Sequence, residues 1–173
     1  RVRERSAWSL GRLQDDRAVP HLIEAMSDED WRVRRWSAWS LGMIGSSDAV
    51  ENLGHVLSQD VNWRVRKECA LALGRIRDET LIEPLVDSLD DSDWRVRDAV
   101  STALVSIGRL AVEPLITALN AEEPTLRDRA AEVLGQIGDL RAVKALLDTA
   151  DEQNINTVSN EIIESLGQIG DAR

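Results

Sequence analysis

The chain has 173 residues and a formal net charge of −10, which argues against binding nucleic acid or an anionic membrane over its whole surface. A single cysteine excludes an internal disulfide, and the absence of any run of 18 apolar residues argues against a membrane-spanning helix. All the aromatic residues are tryptophans: six Trp, with no Tyr or Phe.

A repeat runs through the chain. The string Trp-Arg-Val-Arg begins at Trp31, Trp63 and Trp94, and the chain opens with the same string lacking its Trp. A leucine follows ten residues after each Trp, and the corresponding leucines are 31, 32, 31, 30 and 32 residues apart: Leu10, Leu41, Leu73, Leu104, Leu134 and Leu166. This period is typical of a helical solenoid, in which neighbouring repeats share a core. We predict about six repeats, over residues 1–28, 29–60, 61–91, 92–121, 122–153 and an incomplete 154–173.

Each repeat is predicted to form two antiparallel helices. The first, for example Asp30 to Ile44, carries apolar residues three to four positions apart, as an α-helix requires. Glycines are predicted to end it in several repeats: Gly45, Gly108, Gly138 and Gly170. A short turn follows, with N-cap candidates Asp15, Ser46, Asp78 and Asp139. The second helix has proline in its first turn at Pro20, Pro84 and Pro114. The pattern predicts an all-α fold, a right-handed α-solenoid.

The repeat resembles the HEAT-like repeat of the phycobilin lyase family, D-x-x-V-R-x-x-A-A-x-A-L-G-x-I-G-D, and is similar to the artificial alphaRep repeats. The resemblance covers essentially the whole chain, and residues 18–26 and 33–45 match the pattern best. It implies an armadillo-type stack whose first helices line a concave binding surface. The chain departs from the pattern in a shortened turn at 108–110 and in Val158-Ser159, which stands in place of Val-Arg.

Five arginines recur in register near acidic residues: Arg3, Arg34, Arg66, Arg97 and Arg127. They could form a ligand-binding row or a structural ladder of charge-assisted hydrogen bonds between repeats. The regular period favours the structural ladder.

The tryptophans share one face of the first helices. At about 100° per residue, the recurring apolar positions cluster on one side of the helix, and all six Trp fall on the other. In the first three repeats this face carries eight basic residues against two acidic ones, a net of +6, and in the last three repeats the net is −3. Trp and Arg dominate binding hot spots. We therefore predict a partner-binding face made of Trp8, Trp31, Arg32, Arg35, Trp36, Trp39, Trp63, Arg64, Lys67, Trp94 and Arg95.

Other roles for these tryptophans stay open. Trp31, Trp63 and Trp94 could instead alternate with Arg planes in a structural cation–π ladder. Trp36 and Trp39 replace small residues of the repeat pattern, which favours a binding role for them. The face could also dock a missing N-terminal repeat or a second copy of the chain.

Sites for catalysis, metals and cofactors are not indicated. His21 and His55 both fall on second helices, and the sequence has no His-Glu pair of the kind from which HEAT-like hydroxylases build a di-iron site. It also has no P-loop, no GxSxG and no clustered Cys and His. We expect neither enzymatic activity nor a cofactor.

Three functions compete. We favour a non-catalytic scaffold that binds a protein or peptide, acidic in character, through the tryptophans and arginines. Nucleic-acid binding, with bases stacked on Trp and phosphates held by Arg, is the second hypothesis. A phycobilin lyase-like subunit, implied by the resemblance, is the third. Self-association through open repeat ends or the Trp-bearing face is a further expectation. Since the chain starts part-way through a repeat and without Met, we expect a piece of a longer protein. A cytoplasmic location is a separate expectation.

Overall fold

The computed structural model describes residues 1–152 and 160–171, so the Val158-Ser159 departure and the predicted start of the sixth repeat lie outside the described residues. The described residues form helices and contain no strand, which confirms the predicted all-α repeat fold. The helices are α1 Val2–Leu13, α2 Val19–Ala25, α3 Trp31–Ile44, α4 Val50–Gln59, α5 Trp63–Ile76, α6 Ile82–Asp87, α7 Trp94–Ile107, α8 Val112–Ala118, α9 Pro124–Ile137, α10 Ala142–Glu152 and α11 Asn160–Asp171. They belong to two compact units, unit 1 (Arg1–Ser106) and unit 2 (Ile107–Arg173).

Glycines in the left-handed conformation follow three of the first helices, as predicted. Gly45, Gly108 and Gly138 have φ values of 80°, 72° and 71°, which cost glycine nothing because it lacks a Cβ. Two first helices end without glycine, at Gln14 and Arg77, whose φ values are 50° and 57°. The prediction for Gly170 is wrong: this glycine lies within the last turn of α11, which ends at Asp171, and it has no positive φ.

The predicted caps form at the start of the second helices. In the first three repeats a short 3₁₀ turn precedes the second helix, and the side chain before that turn accepts the backbone N–H two residues on. The turn before α8 has no side-chain cap. All four predicted caps, Asp15, Ser46, Asp78 and Asp139, accept this backbone hydrogen bond. Carboxylates in these turns are therefore accounted for by helix capping.

Within unit 1 the first helices stack as an α-solenoid, with α3 packed between α1 and α5. Their apolar sides meet the second helices in a core that includes the fully buried Leu41, Leu73 and Leu104. Cys69 is also fully buried, and desolvation raises the pKa of its thiol well above its usual range. Cys69 therefore packs as a small hydrophobic residue. In unit 2, α9 packs against α8 and α11.

Successive first helices approach each other closely at a recurring glycine. A Cβ on Gly42 would lie 2.7 Å from the Cα of Ala72, and a Cβ on Gly74 would lie 2.8 Å from the Cα of Ala103. A Cβ on Gly11 would likewise lie 2.7 Å from the Cα of Ser40. The backbones can reach this separation only because the glycine has no side chain.

The in-register arginines form a structural ladder in unit 1, as the period predicted. Arg34 donates from Nε and Nη2 to both oxygens of Asp60 at 2.6 and 3.0 Å, and from Nη1 to the carbonyl of Asp28 at 2.9 Å. Arg66 repeats this pattern one repeat later with Asp91 and the carbonyl of Asp60. These two pairs are largely buried. We call this the Arg–Asp ladder, which also includes Arg3, Arg97 and Asp28.

The ladder is interrupted after Asp91. Arg97 donates to the carbonyl of Asp91, but its buried Nε has no hydrogen-bond partner in the described part of the chain. The position that corresponds to Asp28, Asp60 and Asp91 is Ala121, which lacks a carboxylate.

One stretch, 94–118, is long and apolar enough by composition alone to cross a membrane. The chain turns within it at Gly108, where φ is 72°, so the stretch is two short helices rather than one long one. Val100, Leu104 and Leu115 are fully buried, and packing in the protein core accounts for their apolar character.

Gly42→Ala is expected to lower the free energy of unfolding by about 1–3 kcal/mol, because its methyl group would overlap the backbone of α5. Chemical denaturation followed by far-UV circular dichroism measures this change. Gly167→Ala in α11 is the matched control, since a Cβ there has open space around it, and should be neutral or stabilising by up to about 1 kcal/mol. Equal effects of the two substitutions would contradict the close approach.

Asp60→Asn is expected to cost about 2–3 kcal/mol, because the amide keeps the shape of the side chain but leaves the Arg34 guanidinium without its counter-charge in a largely buried site. All six tryptophans lie in unit 1, so denaturation followed by Trp fluorescence reports on this unit. The exposed carboxylate Asp16, changed to Asn, is the control and should lose less than about 0.5 kcal/mol.

Candidate partner-binding face

The structure places all six tryptophans on the first helices of unit 1, outside the core. Trp8 and Trp94 are 39% and 62% exposed, and the other four are half-buried. We call the side of α1, α3, α5 and α7 that carries them the Trp face. Half-buried indole rings with accessible edges offer apolar area together with an N–H donor, which suits recognition of another chain.

Three tryptophans and three arginines alternate along this face. The Cζ of Arg64 lies 5.4 Å from the Trp31 ring centroid and 4.4 Å from that of Trp63. The Cζ of Arg95 lies 3.5 Å from the Trp63 centroid and 5.8 Å from that of Trp94. At the start of the row, the Cζ of Arg32 lies 4.8 Å from the Trp31 ring centroid. We call this row the Trp–Arg ladder, and its contacts are those of the cation–π alternative drawn from the sequence.

The arginines of the Trp–Arg ladder differ in their anionic partners. Arg95 donates from Nε and Nη2 to both oxygens of Asp93, at 2.9 and 2.7 Å. These hydrogen bonds lower the pKa of the Asp93 carboxyl to about 2, so Asp93 stays ionised and keeps the donors of Arg95 engaged at neutral pH. Arg32 makes one longer contact of 3.4 Å with Asp30. Arg64 forms no salt bridge with any residue that the structure describes.

Trp36 and Trp39 form a separate pair on the same face. Their ring centroids are 5.6 Å apart and their planes are nearly perpendicular, the edge-to-face geometry that aromatic rings favour. The Trp36 Nε1–H donates to Glu4 at 3.2 Å, and the Arg35 guanidinium lies 4.9 Å from the Trp36 ring. Trp36 is thus tied to α1, while Trp39 is half-buried beside it.

Part of the predicted positive charge of this face is neutralised inside it. Glu68 is almost fully buried and lies 3.6 Å from Arg35 and 3.7 Å from Arg75. Lys67, like Arg64, has no salt-bridge partner among the described residues. The predicted basic residues are therefore brought together, but they are not equally available to a ligand. Arg12, which is not among the predicted site residues, also lies on this face, with its Cζ 5.4 Å from the Trp8 ring centroid.

Two grooves are lined by residues other than the tryptophans and arginines of the Trp face. One, in unit 2, runs between α9 and α11 and is lined mainly by acidic and amide side chains, including Asp128, Glu132 and Glu164. Another, in unit 1, lies beside α4 and α6 and includes His55. In residues 1–152 and 160–171, no three His, Cys, Asp or Glu side chains are grouped as a metal site would need.

Comparison with known proteins identifies the repeat. Residues 1–67, 50–112 and 112–173 match a sequence model described as HEAT repeats, and together these matches span the chain. No match is found among curated proteins.

Similar solved structures share the fold. A designed armadillo repeat protein in complex with the peptide (KR)4 is similar with a TM-score of 0.60 at 17% identity, over 98% of this chain and 90% of that one. The complex of CpcE and CpcF of phycocyanin lyase from Nostoc sp. PCC7120 is similar with a TM-score of 0.51 at 22% identity, over 99% of this chain and 89% of that one. An engineered protein is similar with a TM-score of 0.56 at 18% identity, over 97% of this chain and 90% of that one. At these identities the likeness is one of fold alone.

Trp63→Ala is expected to lower the free energy of unfolding by about 1–3 kcal/mol, because the half-buried ring contacts both Arg64 and Arg95. Trp94→Ala, at the exposed end of the ladder, should cost less than about 1 kcal/mol. Denaturation followed by far-UV circular dichroism compares the two variants without relying on the signal of the removed indole. A larger loss for Trp94 than for Trp63 would contradict the observed ladder.

Proposed function

The chain belongs to the HEAT repeat family, and from this premise we propose that it is a scaffold whose Trp face binds a peptide segment of a partner protein, one rich in acidic side chains. HEAT and armadillo-like repeats commonly serve as protein-binding scaffolds, and their stacked helices present an extended surface. The proposal assigns binding to unit 1.

One observation carries the proposal: accessible tryptophans and cations without salt bridges occur together on one side of unit 1. Trp8 and Trp94 expose much of their rings, and Arg64 and Lys67 lie on the same face without a salt-bridge partner in the described chain. Trp and Arg are the residues on which interface energy most often concentrates. The indoles would supply buried area, and the guanidinium would supply paired hydrogen bonds to carboxylates.

The fold comparisons are compatible with a peptide partner. The designed armadillo repeat protein is in complex with (KR)4, a peptide of alternating Lys and Arg. A helical stack of similar fold can therefore hold a peptide. On this chain the exposed binding charges are basic, so the expected partner has the opposite sign.

The charge of the whole chain favours a short acidic segment over nucleic acid. A net charge of −10 opposes the approach of a long polyanion, whereas a peptide with a few carboxylates engages mainly the local cations of the Trp face. A phycobilin lyase-like role has as its support the similarity to the CpcE and CpcF complex of phycocyanin lyase. That similarity concerns the fold and does not extend to the activity.

Replacing Trp8 and Trp94 together by Ala is expected to weaken binding of acidic, apolar peptides at least about tenfold, since exposed aromatic anchors carry much of the energy of such interfaces. Fluorescence anisotropy with labelled peptides of alternating Glu and Leu measures the change. The charge-reversed Lys and Leu peptides should bind more weakly than the acidic ones. Affinity for the acidic peptides should also fall with salt, as the screening length shortens from about 10 Å at 0.1 M to about 3 Å at 1 M.

The matched control is Leu140→Ala with Leu147→Ala, which removes exposed apolar side chains from unit 2 and should leave binding unchanged. Equal loss in both double variants would contradict the proposal. So would tighter binding of the basic peptides. Tighter binding of single-stranded DNA than of any peptide, with a steep salt dependence, would support the nucleic-acid alternative instead.

A further inference from the structure

We propose that Arg64 forms an anion subsite within the Trp face and binds one carboxylate of the partner, in the way that Arg95 binds Asp93. The inference rests on the proposed function and specifies which residue of the face recognises the acid group. Its occupant is a carboxylate from an Asp or Glu side chain or from a peptide C-terminus.

The Trp–Arg ladder holds the Arg64 guanidinium in place. Arg64 bridges Trp31 and Trp63, with its Cζ 5.4 and 4.4 Å from their ring centroids. Contacts with two rings restrict where the Arg64 guanidinium can lie, while the side chain remains exposed to solvent. The N–H donors of Arg64 are thereby restricted in position before any ligand arrives, so less side-chain freedom is lost on binding. Arg64 is exposed to solvent, so these donors are accessible.

The neighbouring repeat shows what occupies such donors. Arg95 also bridges two rings of the ladder, and its Nε and Nη2 donate to both oxygens of Asp93 at 2.9 and 2.7 Å. Asp93 is the residue that precedes α7, and its Oδ1 also accepts the N–H of Arg95. A carboxylate therefore fits the outward edge of a ladder guanidinium and receives a bidentate pair of hydrogen bonds.

The repeat containing Arg64 lacks this internal carboxylate. The residue before α5 is Asn62, whose amide oxygen accepts the N–H of Arg64 at 3.0 Å and so performs the capping role without a charge. The corresponding residue before α3 is Asp30, which contacts Arg32 at 3.4 Å. Among the three arginines of the ladder, Arg64 is thus the one whose preceding cap is neutral. A single Asp-to-Asn difference between repeats leaves one guanidinium of the Trp–Arg ladder for an external anion.

A second cation lies close by. Lys67 follows Arg64 by three residues, so the two side chains share one side of α5. Lys67 forms no salt bridge within residues 1–152 and 160–171, whereas Arg35 and Arg75 lie near the buried Glu68. Lys67 would add a favourable charge next to a carboxylate held by Arg64, without the planar geometry that fixes its orientation.

Two reciprocal substitutions test the subsite. Asn62→Asp keeps the cap and supplies an internal carboxylate to Arg64, so it should weaken binding of the Glu and Leu peptide about tenfold. Asp93→Asn keeps the cap and frees the donors of Arg95, so it should strengthen binding several-fold. Asn62→Ser is the matched neutral control, because serine also caps helices well, and should bind like the wild type. Far-UV circular dichroism confirms that each variant is folded.

A second measurement does not depend on a partner. In ¹⁵N-labelled protein, the Nε–Hε resonance of Arg64 should shift on titration with N-acetylglutamate amide, whose only anionic group is its side-chain carboxylate. The resonance should not shift in Asn62→Asp. Peptides with amidated and free C-termini distinguish a side-chain carboxylate from a terminal one.

The outcomes separate the two proposals. Acidic peptides that bind the wild type and Asn62→Asp equally, with an unchanged Arg64 resonance, would overturn the subsite and leave the scaffold proposal standing. Failure of every acidic peptide to bind the wild type would overturn the scaffold proposal and the subsite with it. Loss of binding in Asn62→Ser as large as in Asn62→Asp would also count against the subsite, because it would trace the effect to the cap rather than to the added charge.

Discussion

The contacts on the Trp face of unit 1 depend on the short separation between successive first helices. Gly42 and Gly74 allow the backbones of α3, α5 and α7 to approach until a Cβ would overlap the next helix. At that separation Arg64 and Arg95 each contact a ring in their own repeat and another in the preceding repeat. A larger side chain at the glycine would open the stack and separate guanidinium from ring. The geometry of the Trp face therefore depends on the close packing of the first helices at these glycines.

Two rows of arginine follow from this spacing, and their surroundings give them different roles. Arg34 and Arg66 lie largely buried, where every donor must find an acceptor, and the carboxylates of the next repeat together with backbone carbonyls supply them. Arg64 and Arg95 lie on the accessible side, where a donor without a protein partner is satisfied by water and can exchange it for a ligand. The buried row stabilises the stack, and under the proposed function the accessible row would supply groups for recognition.

Much of the fold could be predicted from the sequence, because the repeat imposes the same requirement several times. The helix order, the caps at Asp15 and Asp78 and the ladder through Arg34 all follow from period and residue type. The left-handed ends at Gln14 and Arg77 could not, since neither residue prefers that conformation and the stacking of repeats imposes it. The sequence predicted which residues share the Trp face, but it did not predict which of their charges form salt bridges within the protein. Which cations are neutralised depends on rotamers, such as the bidentate Arg95–Asp93 pair against the longer Arg32–Asp30 contact.

The tryptophans differ in their exposure to solvent, and this difference gives them different roles in the proposed binding. Trp63, at the centre of the ladder, is half-buried and orients two guanidinium groups, so its contribution to binding would be indirect, through the geometry of Arg64 and Arg95. Trp94, which is 62% exposed, has most of its ring free and would contribute area directly. A partner that binds this face would therefore contact indoles whose roles differ along the row. Specificity then resides in where the acid groups of the partner fall relative to the guanidinium groups, because the rings accept many apolar side chains and a bidentate carboxylate contact accepts few geometries.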